Sequence, residues 1–260
     1  MPDCLFKRVC VFLSGSLLLV TPWVVAKDIP NIAAASSLQF ALKEIQTDFT
    51  SETGLSLRIS YGSSGNFKRQ IEQGAPFELF LSADEGYVAA LHQQEQTLDA
   101  GKIYALGRIA IFAPQGSPLP VDANLEGLRG LLEQGRLQRF AIANPNHAPY
   151  GKAAQQALMT VGLWDSIKPR LVLGENASQA AQFATSGSSQ GGILPYSLAL
   201  APAISRQGFS RPLPAEWHQP ISHRMVLMKR AGDTAKRFYQ YLQTSAAQKI
   251  FLQYGFDSPG

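Results

Sequence analysis

The chain has 260 residues, of which 45% are hydrophobic and 16% are charged, and its formal net charge is +4. This length is enough for one large domain or for two lobes of about 100 residues each. The positive charge is small and scattered along the chain, which argues against a nucleic-acid-binding protein.

Residues 1–26 have the pattern of a secretory signal peptide. Lys7 and Arg8 give a positively charged start, residues 9–20 form an apolar run, and residues 24–26 offer a small-residue cleavage site. The apolar run is too short for a membrane span, and no second long apolar stretch follows it. We therefore expect a soluble secreted protein after cleavage.

Both cysteines, Cys4 and Cys10, fall inside the predicted signal peptide. The mature protein is therefore expected to have no disulfide and no thiolate chemistry. Neither cysteine stands at a plausible cleavage point, so no lipid anchor is expected. The four histidines lie in different segments without the spacing of metal ligands, so no direct cation site is predicted.

Strand and helix patterns alternate after the leader, which predicts an α/β fold with helices packed on mostly parallel sheets. Apolar runs indicate strands, and stripes of apolar residues three or four apart indicate helices. The elements predicted first are strands at 29–35, 55–60 and 77–82, a helix from 38 to its stop at Gly54, and a helix at 66–73. Asp84 is predicted to cap the helix after the third strand.

A buried strand at 107–114 begins the second part of the chain. The elements predicted after it are strands at 140–143, 170–174, 192–196 and 221–229 and helices at 152–161, 178–186, 234–242 and 246–254. Ser245 is the predicted N-cap of the last helix, and Gly255 is its C-cap.

Two crossings of the chain, near residues 107 and 220, predict two lobes joined by two crossover strands that act as a hinge. The first lobe is predicted to comprise residues 27–107 and 220–260, and the second lobe residues 108–219. Ligands of such sheets bind beyond the carboxyl ends of the strands, so we expect the site in the cleft between the lobes.

Four loops of small or hydroxyl residues lie at such strand ends, and each opens a helix. They are residues 33–37, 61–65, 144–151 and 174–177. A helix start has unpaired backbone N–H groups and a partial positive charge that points outward. Several such starts around one point would bind an oxyanion without any charged side chain.

Each of these residues also has an ordinary structural interpretation. Ser36, Ser37 and Ser64 are typical N-cap residues, and capping alone would account for them. Tyr150 follows a proline at a helix start, and its ring is either a lid or a packed aromatic. Asn176 is expected to cap its helix, which leaves the Ala177 N–H as the useful donor. His147 is expected to be solvated.

The loops favour a particular class of anion. Molybdate, tungstate and sulfate are fully deprotonated at pH 7 and only accept hydrogen bonds, which suits a pocket of hydroxyl and amide donors. Hydrogen phosphate carries a proton and needs an acceptor. The nearest carboxylate, Glu175, is expected to cap a helix or form an ion pair. A receptor for sulfate or another tetrahedral oxyanion stays open as the first alternative.

A secreted serine hydrolase is the alternative from another class. The chain lacks a Gly-x-Ser-x-Gly motif, and the serine-rich segment at 186–189 has the composition of a polar turn. Lys68 and Arg69 are expected to lie on a solvated helix face. We find no serine with an evident histidine and aspartate partner, so no catalytic residue is predicted.

Together, these segments resemble the molybdate-binding proteins of bacterial ABC transporters. The matching stretches are Ala-Ala-Ala-Ser-Ser-Leu at 33–38, Gly-Ser-Ser-Gly at 62–65, the segments 70–76 and 80–84, Ala-Asn-Pro at 143–145, Ala-Pro-Tyr-Gly at 148–151, Gly-Glu-Asn at 174–176 and Tyr-Gly-Phe at 254–256. The resemblance implies a two-lobed periplasmic-binding-protein fold of a type II-like kind. It implies a monomer that is not an enzyme, needs no cofactor, binds molybdate or tungstate and delivers it to a membrane ABC permease.

The resemblance also implies a ligand set. Ser36 and Ser64 would bind the anion through hydroxyl and backbone groups, and Tyr150 and Ala177 would bind it through backbone N–H groups. In some members the residue after the first serine contributes as well, which is Ser37 in this chain.

Some members add a tyrosine hydroxyl from the strand near residue 192. The gapless match places Pro195 there, and proline has no donor. Tyr196 would serve only after a shift of one residue.

Overall fold

The computed structural model describes residues 29–259, so the predicted signal peptide with Cys4 and Cys10 lies outside the described residues. Within 29–259, no helix has the length and apolarity that a membrane crossing requires. Two five-stranded sheets with helices on their faces form the molecule.

The strands and helices follow one another in close agreement with the alternating sequence pattern. The strands are β1 (Asn31–Ala35), β2 (Arg58–Gly62), β3 (Leu79–Ser82), β4 (Lys102–Gly107), β5 (Ile109–Pro114), β6 (Phe140–Ala143), β7 (Leu171–Gly174), β8 (Gly192–Pro195), β9 (Gly208–Pro212) and β10 (Ile221–Leu227). The α-helices are α1 (Gln39–Thr53), α2 (Ser64–Glu72), α3 (Glu85–Gln93), α4 (Glu126–Glu133), α5 (Pro149–Thr160), α6 (Trp164–Ile167), α7 (Ala177–Thr185), α8 (Tyr196–Leu200), α9 (Pro202–Ser205), α10 (Asp233–Tyr241) and α11 (Ser245–Gln253).

Each lobe is built on one sheet. The first sheet has the order β2-β1-β3-β10-β4, and the second has the order β7-β6-β8-β5-β9. In the first sheet β1 is parallel to β2 and β3, and in the second β6 is parallel to β7 and β8. The pairings of β10 and β5 are antiparallel, so in each sheet four strands run in one direction and a single strand runs against them. The sheets are therefore mostly parallel, as predicted, and in each the reversed strand is the one that follows a crossing of the chain between the lobes.

The chain passes between the sheets twice. Only Arg108 separates β4 from β5, and the return runs between β9 and β10. The Arg108 guanidinium donates to the carbonyl oxygen of Leu213 at 3.2 Å and to the Asp257 carboxylate at 3.3 Å, which ties this connection to both later segments. The exact lobe boundaries stay a prediction.

The core of the first lobe follows from the periodicity of α1. Leu42, Ile45 and Phe49 fall on one face of this helix and are at most 1% exposed. The Phe49 ring meets the Phe238 ring of α10 edge to face, with centroids 5.1 Å apart. Gly54 ends the helix in the left-handed conformation with a φ of 64°, as its position predicted.

The cap of the last helix differs from the prediction. Thr244, not Ser245, is the N-cap residue, and its hydroxyl accepts the N–H of Ala247. Ser245 is instead the first residue of α11. Gly255 follows the helix with a φ of 74°, which agrees with its predicted role. The Asp84 side chain caps α3 by accepting the Gly86 N–H at 2.8 Å, also as predicted.

Replacement of Thr244 by Ala is expected to lower the free energy of unfolding by about 1 kcal/mol, because the cap bond is lost. Ser245→Ala is the matched control and should change it by less than about 0.5 kcal/mol. Urea unfolding followed by circular dichroism measures both values. A larger loss for Ser245→Ala than for Thr244→Ala would contradict the observed cap.

Candidate anion-binding site

The carboxyl ends of strands from both sheets face one very small pocket between the lobes, with a cavity volume of about 10 Å³. Its lining residues are Ala35, Ser36, Ser37, Gly62, Ser63, Ser64, Ala83, Ala148, Pro149, Tyr150 and Ala177. They follow β1, β2 and β3 of the first sheet and β6 and β7 of the second. The structure therefore brings together five of the six residues named from the sequence: Ser36, Ser37, Ser64, Tyr150 and Ala177.

The pocket is uncharged and well covered. None of its lining residues carries a carboxylate, ammonium or guanidinium group. The five predicted residues are each at most 4% exposed. Such a pocket can bind an anion only through neutral hydrogen-bond donors, and the exclusion of water strengthens each of these hydrogen bonds.

Ser37 stands out because its hydroxyl has no partner in good hydrogen-bond geometry and only the Tyr150 hydroxyl close by. Its oxygen is buried and forms no hydrogen bond within the described residues. A buried polar group without a partner costs about 1–3 kcal/mol, so most such groups in proteins are paired. The hydroxyl lines the pocket, which indicates that a guest molecule is its missing partner.

Ser36 and Ser64 use their hydroxyl oxygens as acceptors. Ser36 Oγ accepts the N–H of Ser178 at 3.3 Å, and Ser64 Oγ accepts the N–H of Ala83 at 3.0 Å. Each O–H hydrogen therefore stays available to an acceptor in the pocket. No side chain caps the helix starts at these serines, so the capping interpretation is wrong for them.

The second lobe contributes backbone donors. Tyr150 lies in the first turn of α5 behind Pro149, and Ala177 is the first residue of α7. N–H groups in a first turn have no acceptor within their own helix. Asn176 caps α7 by accepting the Gln179 N–H at 3.1 Å, which confirms its predicted role.

The lobes touch beside the pocket through His147. Its carbonyl oxygen accepts the Ser63 hydroxyl at 2.6 Å and the Gly65 N–H at 3.1 Å, and its Nδ1 lies 3.1 Å from Ser63 Oγ. His147 is only 9% exposed, so the expectation of a solvated loop histidine is wrong. Residues 84 positions apart in the chain make this contact, which no local pattern reveals.

Ser63, His147 and Glu175 lie in a row but lack the geometry of a catalytic triad. The Ser63 hydroxyl already donates to the His147 carbonyl oxygen. The close Nδ1 must therefore be the protonated nitrogen that donates to Ser63 Oγ, and it has no capacity to take a proton from serine. The Glu175 carboxylate lies 3.6 Å from Nε2 and accepts the Asn66 amide at 2.5 Å across the cleft.

Two further contacts join the lobes. The Ser197 hydroxyl donates to the carbonyl oxygen of Ser37 at 2.8 Å. The Ser178 hydroxyl lies 3.2 Å from the Ser36 carbonyl oxygen and 2.8 Å from Gln39 Oε1. Both serines were missed by the sequence analysis, because their partners lie more than 100 residues away.

Three polar residues considered from the sequence do not line the pocket. Tyr196 begins α8, where its N–H donates to the Arg108 carbonyl oxygen at 2.8 Å and its ring packs beside Gly255. Lys68 pairs with Glu72 at 2.8 Å on the surface of α2, and Arg69 donates to Asn66.

Two buried aromatic residues extend from the pocket into the first lobe. The Tyr150 hydroxyl lies 3.0 Å from Nε2 of His223 in β10. Burial raises the pKa of Tyr150 well above its ordinary value and lowers the pKa of His223 to about 3. Both groups are therefore neutral at pH 7. Within residues 29–259, no cluster of three or more His, Cys, Asp or Glu side chains offers a cation site.

Comparisons with known proteins find relatives that match nearly the whole described chain. The chain is 33% identical over 227 residues to the molybdate-binding protein ModA of Rhodobacter capsulatus, covering 86% of each chain. It is 31% identical over 233 residues to ModA of Escherichia coli K12, covering 87% of this chain and 88% of that one. The structure matches the periplasmic molybdate-binding protein of Azotobacter vinelandii with a TM-score of 0.79 at 27% identity, covering 89% and 100% of the two chains.

This match confirms the predicted two-lobed α/β fold. A family model described as bacterial extracellular solute-binding protein matches residues 30–257, nearly the whole of the described chain. The chain therefore belongs to the family of bacterial extracellular solute-binding proteins.

Proposed function

We propose that this chain is a periplasmic receptor that captures molybdate, and also tungstate, in the pocket between its lobes and delivers it to a membrane ABC permease. The unpaired, buried Ser37 hydroxyl in an uncharged pocket is the observation that carries the proposal. The names of the relatives from Rhodobacter capsulatus and Escherichia coli support molybdate as the anion.

The proposed shell contains only donors. The hydroxyls of Ser36, Ser37 and Ser64 come from the first lobe, and the N–H groups of Tyr150 and Ala177 come from the second. A dianion without a proton accepts all five, whereas hydrogen phosphate would place its own O–H against a wall with no carboxylate. Selectivity against sulfate is proposed to rest on pocket size, because molybdate has longer bonds to oxygen.

Both lobes are needed to complete this shell. When they separate, each half offers the anion only part of its donors and leaves the rest to water. The anion therefore binds the closed arrangement better and shifts the population toward it. We propose that the protein acts as a monomer in this cycle and catalyses no reaction.

A thermal-shift panel tests the anion. Micromolar molybdate or tungstate is expected to raise the melting temperature, because a ligand that binds only the native state stabilises it by mass action. Sulfate and phosphate at the same concentration should raise it less. A larger shift with sulfate would favour the sulfate receptor instead, and no shift with any of the four would overturn the proposal.

Replacement of Ser37 by Ala is expected to weaken molybdate binding about 10- to 100-fold, the range for loss of one hydrogen bond to a charged group. The free energy of unfolding without anion should not fall, since the hydroxyl has no partner there. Calorimetric titration and urea unfolding measure the two quantities.

Ser189→Ala is the matched control for Ser37→Ala. The Ser189 hydroxyl is also buried but is 2.9 Å from the Gly191 carbonyl oxygen, away from the pocket. Its loss should lower the free energy of unfolding by about 1 kcal/mol and leave the affinity unchanged. Unchanged affinity in Ser37→Ala would remove Ser37 from the proposed ligand set.

Gly65 tests whether closure matters. A Cβ atom at this position would lie 2.6 Å from the His147 carbonyl oxygen of the other lobe, so Gly65→Ala should hold the lobes apart. We expect at least about tenfold weaker molybdate binding, because one contact of the closed state is replaced by a clash. Gly130→Ala, in the open surroundings of α4, should bind as the wild type does. Wild-type affinity in Gly65→Ala would contradict the closed arrangement as the bound one.

A further inference from the structure

One side chain of the second lobe reaches deep into the first. Tyr150 lines the pocket from the first turn of α5, and its hydroxyl lies 3.0 Å from Nε2 of His223 on β10. Tyr150 is 4% exposed and His223 is completely buried. A hydrogen bond between two buried groups thus joins the two lobes. Its acceptor, His223, lies on β10, the strand with which the chain returns from the second lobe.

The first lobe has a slot that fits this hydroxyl. Gly107 ends β4 at the crossover, and a Cβ atom there would lie only 2.2 Å from the Tyr150 hydroxyl oxygen. Only glycine leaves room at this point. Ile221, which begins β10, forms another wall of the slot, since its Cγ2 would lie 3.1 Å from the same Cβ atom at position 107.

Aromatic rings surround the imidazole, and among residues 29–259 burial alone accounts for the shift of its pKa. The rings of Tyr104, Tyr150 and Phe256 have centroids 6.0, 5.8 and 5.2 Å from that of His223. Burial in these surroundings keeps the imidazole neutral, with its pKa lowered to about 3. A neutral imidazole has one donor nitrogen and one acceptor nitrogen.

The hydrogen-bond pattern assigns these roles. The Tyr150 hydroxyl is protonated at pH 7, because burial raises its pKa, and it donates to Nε2. Nδ1 then carries the hydrogen and faces the Tyr104 hydroxyl oxygen at 3.5 Å. The Ser37 hydroxyl lies close enough to the Tyr150 hydroxyl to lower the pKa of Tyr150 through hydrogen bonding, against the larger effect of burial, although the pair lacks full hydrogen-bond geometry. The pocket and the slot are therefore neighbours.

On the basis of the proposed function, we infer that Tyr150 and His223 form an interlobe latch, with His223 as a positioning residue for the Tyr150 N–H. One residue supplies both an anion donor through its backbone and a bond to the other lobe through its side chain. The side-chain bond forms only when the lobes meet, and it fixes the first turn of α5 against the anion. The latch therefore slows opening and release more than it affects capture.

Tyr150→Phe tests the latch without removing a proposed ligand, since the backbone N–H stays. His223→Phe removes the acceptor and keeps an aromatic ring in place. We expect each variant to raise the dissociation rate constant of molybdate about three- to tenfold, the range for one neutral hydrogen bond, with little change in the association rate constant. Stopped-flow displacement of bound molybdate by excess tungstate, followed by protein fluorescence, measures these rates.

The double variant separates a latch from two independent packing defects. If the two residues act through one bond, Tyr150→Phe combined with His223→Phe should dissociate no faster than the faster single variant. His223→Gln, which restores an acceptor, should recover part of the slow release. Tyr239→Phe is the matched control, because its buried hydroxyl on α10 has no partner and lies away from the cleft; its release should equal that of the wild type.

The outcomes distinguish the two proposals. The latch would be overturned by wild-type dissociation rates in both single variants, or by independent effects that multiply in the double variant. If the wild type still binds molybdate, these outcomes leave the proposed function standing. A wild-type protein that does not bind molybdate would overturn the proposed function and, with it, the inference drawn from it.

Discussion

The carboxyl ends of five strands from two separate sheets face the same small space, and this constraint governs the rest of the molecule. β1, β2 and β3 end there from the first sheet, and β6 and β7 end there from the second. Backbones that approach so closely leave room only for small residues, which accounts for the glycines, alanines and serines at the pocket. Burial of an unpaired charge in this space would cost much free energy, whereas a buried hydroxyl or amide group costs little once it forms a hydrogen bond. The lack of charged side chains around the pocket thus follows from the close approach of strand ends and helix starts from the two sheets.

The energy that holds the lobes together is modest by construction. The polar contacts across the cleft are a few hydrogen bonds, such as Ser63 to His147, Ser178 to Ser36 and Tyr150 to His223. Water replaces most of these when the lobes part, so each contributes only about 1 kcal/mol net. A balance of this size is one that a single tightly bound ligand can shift.

The sequence predicted local features well and distant contacts poorly. β6 was predicted with its observed bounds, and the serine-rich loops were placed correctly, because an apolar run followed by small residues and an amphipathic stripe is a local pattern. The mostly parallel sheets were predicted, but β10 and β5 were not identified as their reversed strands, since strand direction depends on how the chain returns from the other lobe. The burial of His147 and the partner of Ser36 were missed for the same reason: Ser36 meets Ser178 across 142 positions of sequence. Thr244 was overlooked as a cap because Ser245 beside it has an equally suitable side chain.

The end of β8 shows how this site differs from the pattern to which it is similar. In some members of the molybdate-binding family that the sequence resembles, a tyrosine near this strand contributes its hydroxyl to the site. Here the strand ends at Pro195, and the next residue, Tyr196, packs beside Gly255. The tyrosine that does reach the pocket, Tyr150, directs its hydroxyl to His223 instead. In the proposed site the anion is therefore left to serine hydroxyls and backbone N–H groups, whose positions are fixed by strand ends and helix starts. The aromatic hydroxyl is freed from binding the anion, and its bond to the first lobe couples the position of the donors to the closure of the cleft.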